Sequence, residues 1–141
     1  MPILDDTESI TKLLASTKRI AVLGIRPEAF ADQPAYYVPK YLAEAGVEMI
    51  PVPVYYPEAT EILGKPVYRR LVDVPGSIDL VNVFRRARDL AAHVDDILAA
   101  KPSAVWLQLK IKDDAFAQKL AAAGISVVQD RCLMVELQSR R

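Results

Sequence analysis

Ile20-Ala21-Val22-Leu23-Gly24 is apolar without interruption and stops on a glycine. A strand that covers one face of a sheet alternates apolar and polar residues, whereas a strand buried on both faces is apolar throughout, as in parallel sheets sandwiched between helices. The run therefore predicts an interior strand of a parallel sheet, taken here as the central one. Leu80 to Phe84 and Ala104-Val-Trp-Leu-Gln-Leu109 read the same way, and Ile125 to Val128 predicts a last short strand. Val47-Glu-Met-Ile-Pro-Val52 is a further strand; Pro51 and Pro53 remove ladder donors, which places its end at an edge or in an irregular stretch.

Helical patterns separate these strands. Asp6 or Thr7 can cap a helix whose apolar stripe is Ile10, Leu13 and Leu14. Residues 25–33 lack a period and form a loop. Because Pro39 belongs in a first helical turn, the next helix is expected to start no earlier than Ala35 or Tyr36, burying Tyr37, Val38, Tyr41, Leu42 and Ala45 before Gly46 ends it. Turn residues dominate Tyr55 to Asp73, with Val67-Tyr68 as a short edge strand. A helix carrying Leu90, Ala91, Val94, Ile97 and Leu98 stops at Lys101-Pro102, and Asp113 caps another over Asp114 to Ala123. Strand and helix alternate throughout. The pattern predicts an α/β, Rossmann-like, doubly wound and mostly parallel sheet with helices on both faces.

Composition narrows the function. A chain of 141 residues suits one domain, residues 1–141. Lys plus Arg and Asp plus Glu both total 18, so no general attraction to nucleic acid or anionic membrane is expected, and any anion site must rest on local cations. One cysteine excludes a disulfide framework or multi-cysteine zinc site. With no signal segment and no run of about 18 apolar residues, the expectation is a soluble cytoplasmic protein.

In a doubly wound sheet, ligands bind outside the carboxyl ends of the strands where the strand order reverses. That places Gly24, Ile25 and Arg26 opposite Phe84 and Arg85, a set suited to a phosphate-bearing ligand with a flat ring. Gly24 is followed by Ile25-Arg26-Pro27, so the dinucleotide glycine fingerprint is absent, and Gly64-Lys65 runs into Pro66, so there is no P-loop. Plainer readings stand beside these. Arg85 can pair with Asp89 across a helical turn, Phe84 and Trp106 can serve the core, and Cys132 can be a small buried hydrophobe. His93 is read as a helix-surface residue, with no metal constellation around it. No nucleophile and base are positioned in sequence, and a protein partner is left open, with Tyr55 and Tyr56 able to serve one or to pack the turn.

Seven segments carry a family likeness: Ile20-Ala-Val-Leu-Gly24, Tyr37-Val-Pro-Lys-Tyr-Leu42, Ile50-Pro-Val-Pro53, Glu61-Ile-Leu-Gly64, Val81-Asn-Val-Phe-Arg85, Trp106-Leu-Gln108 and Val127-Val-Gln-Asp-Arg-Cys132. At these residues the chain resembles the small CoA-binding proteins related to the CoA-binding domain of succinyl-CoA synthetase alpha subunits. The resemblance implies CoA or an acyl-CoA over the carboxyl edge, with phosphates near the Gly24 loop and the nucleotide near the ends of the second and fourth strands. The matching contact positions are Gly24, Ile25, Val52, Pro53, Phe84 and Arg85. This chain departs at three places from what relatives often carry: a small hydroxyl residue at Arg26, an Arg-Pro-Ser run at Gln33-Pro34-Ala35, and glycine at Lys110. Arg26 and Lys110 either add phosphate ligands or fill the pocket. The expected function is a stand-alone CoA or acyl-CoA binding module, not catalytic alone. The alternatives are a small NAD(P)- or CoA-dependent enzyme and an interaction module with a degenerate nucleotide pocket.

Overall fold

In the computed structural model, which describes residues 3–140, the apolar runs become strands β1 (Arg19–Leu23), β2 (Glu48–Val52), β5 (Leu80–Val83), β6 (Ala104–Leu107) and β7 (Ser126–Val128). They form one five-stranded sheet in the order β2-β1-β5-β6-β7, parallel at every pairing. The chain first steps from β1 to β2, then returns across β1 to β5 and continues outward. The strand order therefore reverses between β1 and β5, as expected. β5, not β1, is the middle strand; apolarity on both faces reports burial between helices and says nothing of position along the sheet.

Alternation sorts the strand residues onto two cores. Ala21, Leu23, Val81, Val83, Val105 and Leu107 pack with the helices α3 (Val94–Ala100) and α4 (Asp114–Ala122). Ile20, Val22, Leu80 and Trp106 face the helices α1 (Thr7–Ala15), α2 (Pro34–Glu44) and α5 (Leu133–Gln138). Full burial of each such aliphatic side chain contributes about 1.5 to 3 kcal/mol against the cost of ordering it. Trp106 is completely buried, and its indole N–H donates to the Arg131 carbonyl at 2.8 Å, so the ring adds apolar area without an orphan donor.

Polar side chains set the element ends. Asp6 accepts from Ser9 N at 2.9 Å at the start of α1, and Asp113 accepts from Phe116 N at 3.1 Å at the start of α4. Asp79 accepts from both Lys18 N and Arg19 N, at 2.8 and 2.9 Å, which ties the entrance of β1 to that of β5. Among the described residues no helix is long and apolar enough to cross a membrane.

Four local expectations need correction. Helix α2 begins at Pro34, so Pro39 lies inside it rather than in its first turn. Proline there cannot bond the carbonyl four residues back, Ala35. That carbonyl instead accepts from Arg26 N at 3.1 Å, so the structure repairs the gap with a tertiary bond. Tyr37 is exposed, and Tyr36 takes the buried place. The edge strand expected at Val67-Tyr68 is replaced by the hairpin β3 (Glu61–Ile62) and β4 (Lys65–Pro66). Leu63 and Gly64 at its tip both have positive φ, 56° and 75°, as a tight hairpin turn requires. Finally, residues Ala87–His93 form a 3-10 helix before α3 begins, not one continuous α-helix.

Candidate functional site

The reversal point is built around Gly24. Its N–H donates to Val52 O at 2.9 Å, and Phe84 N donates to Leu23 O at 2.9 Å, so the exits of β2, β1 and β5 are tied together. Gly24 has φ +89°, and a Cβ there would fall 2.4 Å from the Phe84 carbonyl oxygen. The glycine is thus demanded by the close approach of two strand ends, which is also what holds Phe84 and Arg85 at the carboxyl edge.

Above that edge runs a cleft of about 640 Å³, within the range of small-molecule sites. One side comprises Arg26 and the start of α2 at Pro34 and Ala35; the other comprises Phe84, Arg85 and Arg86, and the cleft continues over Gln108, Leu109 and Lys110 to Cys132. Its charge is one-sided. Four cationic residues, Arg26, Arg85, Arg86 and Lys110, line it and none of the chain's 18 carboxylate residues does, although the whole chain is neutral. The α2 N-terminus adds the positive end of a helix dipole.

Arg85 is held on several sides. Its Nε donates to His93 Nε2 at 3.0 Å, Nη2 lies 3.9 Å from Asp89, and the guanidinium stacks 5.4 Å from the Tyr55 ring centroid. The expected pairing with Asp89 is present, and Arg85 also lines the cleft. His93 is not the solvated surface residue expected; it is half-buried and accepts from Arg85. An acceptor Nε2 requires a neutral ring with its proton on Nδ1. Burial and then the Arg85 charge both lower the His93 pKa, which favours that neutral form.

Arg26 is placed differently. Its backbone N–H is fixed by Ala35 O, while its guanidinium lies 5.0 Å above the Phe30 ring and makes no ion pair among the described residues. Phe30 meets Tyr56 at 5.5 Å, and Tyr56 meets Tyr55 edge-on at 6.4 Å. Arg26 and Arg85 thus sit on opposite ends of one aromatic row, each with a guanidinium over a ring and nitrogen donors left for an anion.

Of the other expected site residues, Lys110 reaches the cleft. Its φ is +70°, and its N–H donates to Asp130 Oδ1 at 2.6 Å, so a lysine occupies a backbone shape that favours glycine. The cleft remains open with Arg26 and Lys110 on its walls. Ile25, Val52 and Pro53 are buried, and Val52 and Pro53 line neither the cleft nor the small notch beside Gly24. Sequence reading missed Arg86 and Gln108; polarity at the end of an otherwise apolar strand was the available signal. Cys132 faces the cleft, but the neighbouring Arg131 guanidinium is committed to Asp5 and Glu136, both at 3.3 Å.

A larger hollow of about 730 Å³ lies at the amino ends of β1 and β2, lined by Leu14, Lys18, Leu137 and others. Its two arginines are already neutralised, Arg19 by Glu48 at 3.2 Å and Arg140 by Glu136 at 2.9 Å. It also sits at the wrong end of the strands for a ligand of this fold.

The chain belongs to the family described as CoA binding domain, which its sequence matches over residues 18–138. It is 33% identical over 126 residues to Uncharacterized protein YneT of Bacillus subtilis (strain 168), covering 89% of this chain and 90% of that one. The structure of cell-free ID.343 from Thermus thermophilus is similar with a TM-score of 0.86 and 37% identity, covering 96% of this chain and 98% of that chain. A dinucleotide forming acetyl-coenzyme A synthetase 1 of Ca. Korarchaeum cryptofilum shares the fold at a TM-score of 0.69 and 16% identity, over 82% of this chain and 26% of that much longer one.

Proposed function

We propose that this member of the CoA binding domain family takes CoA or an acyl-CoA in the cleft over the β1/β5 reversal point. In this reading the chain holds, carries or presents the ligand without transforming it alone. The observation that carries the proposal is the sorting of charge: Arg26, Arg85, Arg86 and Lys110 line one cleft of a neutral chain, with no carboxylate among the lining residues. Arg85 is paired with Asp89, but Arg26, Arg86 and Lys110 make no ion pair among the described residues; such cations repel one another and are hydrated, and a phosphate-rich ligand relieves the repulsion and accepts their hydrogen bonds. CoA combines phosphates, a flat adenine and a long polar arm, and the cleft combines cations, the rings of Tyr37 and Phe84 and a floor that runs over Gln108 to Cys132, with Tyr55 and Tyr56 at the notch beside Gly24.

Calorimetric titration with CoA tests the proposal. The expected result is saturable binding that weakens as salt is raised, since Arg86 and Lys110 are exposed and Arg26 is half-buried, so their charges are screened. Arg85→Ala is expected to cost about 1.5 to 3 kcal/mol of binding, the range for a hydrogen bond to a charged group. Absence of heat and of thermal stabilisation at millimolar CoA in the folded protein refutes it.

A further inference from the structure

We propose that Gln108 recognises the pantetheine arm of the ligand, its side-chain Nε2 donating into the cleft to an amide carbonyl oxygen. The inference rests on the reading of the cleft as a CoA site and adds to it a residue that contacts the uncharged half of the molecule.

Gln108 follows the last residue of β6, and only 4% of its surface is exposed, yet it lines the cleft floor. Its Oε1 accepts from two directions, from Asn82 Nδ2 at 3.2 Å and from Leu133 N at 3.4 Å. The second donor decides the orientation. Were the Gln108 amide reversed, Nε2 would face the Leu133 N–H, donor against donor, whatever Asn82 did. Leu133 is the first residue of α5, and the residue before it, Cys132, provides no side-chain cap, so this N–H has a strong claim on an acceptor. Oε1 is thereby fixed inward and Nε2 outward.

Among the described residues Nε2 makes no hydrogen bond, and the one occluded side-chain atom left without a partner is Asn82 Oδ1. Nε2 is therefore unpartnered but not sealed, and its opening is the cleft. The orphan Asn82 oxygen follows from the same lock: Asn82 must turn Nδ2 toward Gln108, which leaves Oδ1 among the apolar residues of the interior. A buried carbonyl without a partner is costly, and a leucine of similar shape would avoid the cost. The pair secures the orientation of one donor at the cleft floor. What it suits is a neutral acceptor. Gln108 is two strand spacings, about 10 Å, from the β1 exit that leads to Arg26, one spacing from the β5 exit that leads to Arg85, and two residues from Lys110; what sets it apart from these cations is that its N–H belongs to an uncharged amide, matched to an uncharged carbonyl.

Two ligands separate the halves of CoA: CoA itself, and adenosine 3′,5′-bisphosphate, which lacks the arm. Gln108→Met and, separately, Asn82→Leu are titrated with both. The expected result is a threefold to tenfold loss of CoA affinity in Gln108→Met and a smaller loss in Asn82→Leu, with the bisphosphate affinity unchanged; Asn82→Leu leaves only the 3.4 Å bond from Leu133 N to hold Oε1 inward and removes the orphan oxygen, so its stability should not fall. If Gln108→Met does not fold, the double variant Gln108→Met/Asn82→Leu removes the donor without leaving Asn82 unpaired and without adding charge to the cleft, and the same loss is expected. Unchanged CoA affinity, or equal weakening of both ligands, overturns the assignment while leaving the cleft reading intact. Failure of the unsubstituted protein to bind either ligand overturns both.

Discussion

Lys110→Gly should move stability and binding in opposite directions. Lys110 has φ +70°, a left-handed backbone that costs a residue with a Cβ about 1 to 2 kcal/mol. Glycine removes that cost but carries extra freedom in the unfolded chain, worth about 0.5 to 1 kcal/mol. The net expectation is a stabilisation of about 0.5 to 1 kcal/mol, because the Lys110 N–H to Asp130 bond at 2.6 Å is a backbone bond that glycine retains. The ammonium is lost from the cleft, and since it is exposed its contact with a phosphate is screened; about 0.5 to 1.5 kcal/mol of binding should go with it, a twofold to tenfold weaker CoA affinity. Urea unfolding with an unchanged slope measures the first quantity, and calorimetry at low and high salt measures the second. The difference in affinity should shrink at high salt. A destabilised Lys110→Gly protein would show that the lysine side chain has a packing role, and unchanged affinity at low salt would remove Lys110 from the site.

Gly24→Ala should lose about 2 to 4 kcal/mol of stability in urea unfolding, because φ is +89° and the new Cβ would meet Phe84 O at 2.4 Å; a loss below about 1 kcal/mol would mean the two strand ends separate readily. The single histidine predicts a pH dependence. Its folded-state pKa lies below the ordinary value of about 6.5, so as pH falls the unfolded chain takes up the proton first and stability declines from there down to the lowered folded-state value. His93→Gln, which keeps a side-chain acceptor for Arg85, should flatten the urea midpoint over that window; an unaltered pH profile would show that the histidine is not coupled to folding.

What the sequence made legible was whatever depends on burial alone. Unbroken apolar runs such as Ile20 to Leu23 must lie between layers, and the alternation of such runs with helices leaves few arrangements. Position along the sheet is set instead by where each crossover lands, so β1 could be read as interior but not as second from the edge. The error over Pro39 has a related cause: the rule against proline within a helix counts only local bonds, whereas Ala35 O finds its donor in Arg26, nine residues back in a loop with no period. The same limit applied to the site. Arg85 was visible as a strand-end cation, but its bond to His93 depends on the 3-10 path of Ala87–His93, which no residue there announces. Asn82 and Gln108 were the legible clue left unused. Asn82 pairs in register with Trp106, and alternation puts Gln108 on the same face, so two polar residues at the exits of apolar strands had to face each other or waste their hydrogen bonds. Such polar exceptions within buried runs are where a sequence shows that the interior serves a site as well as a core.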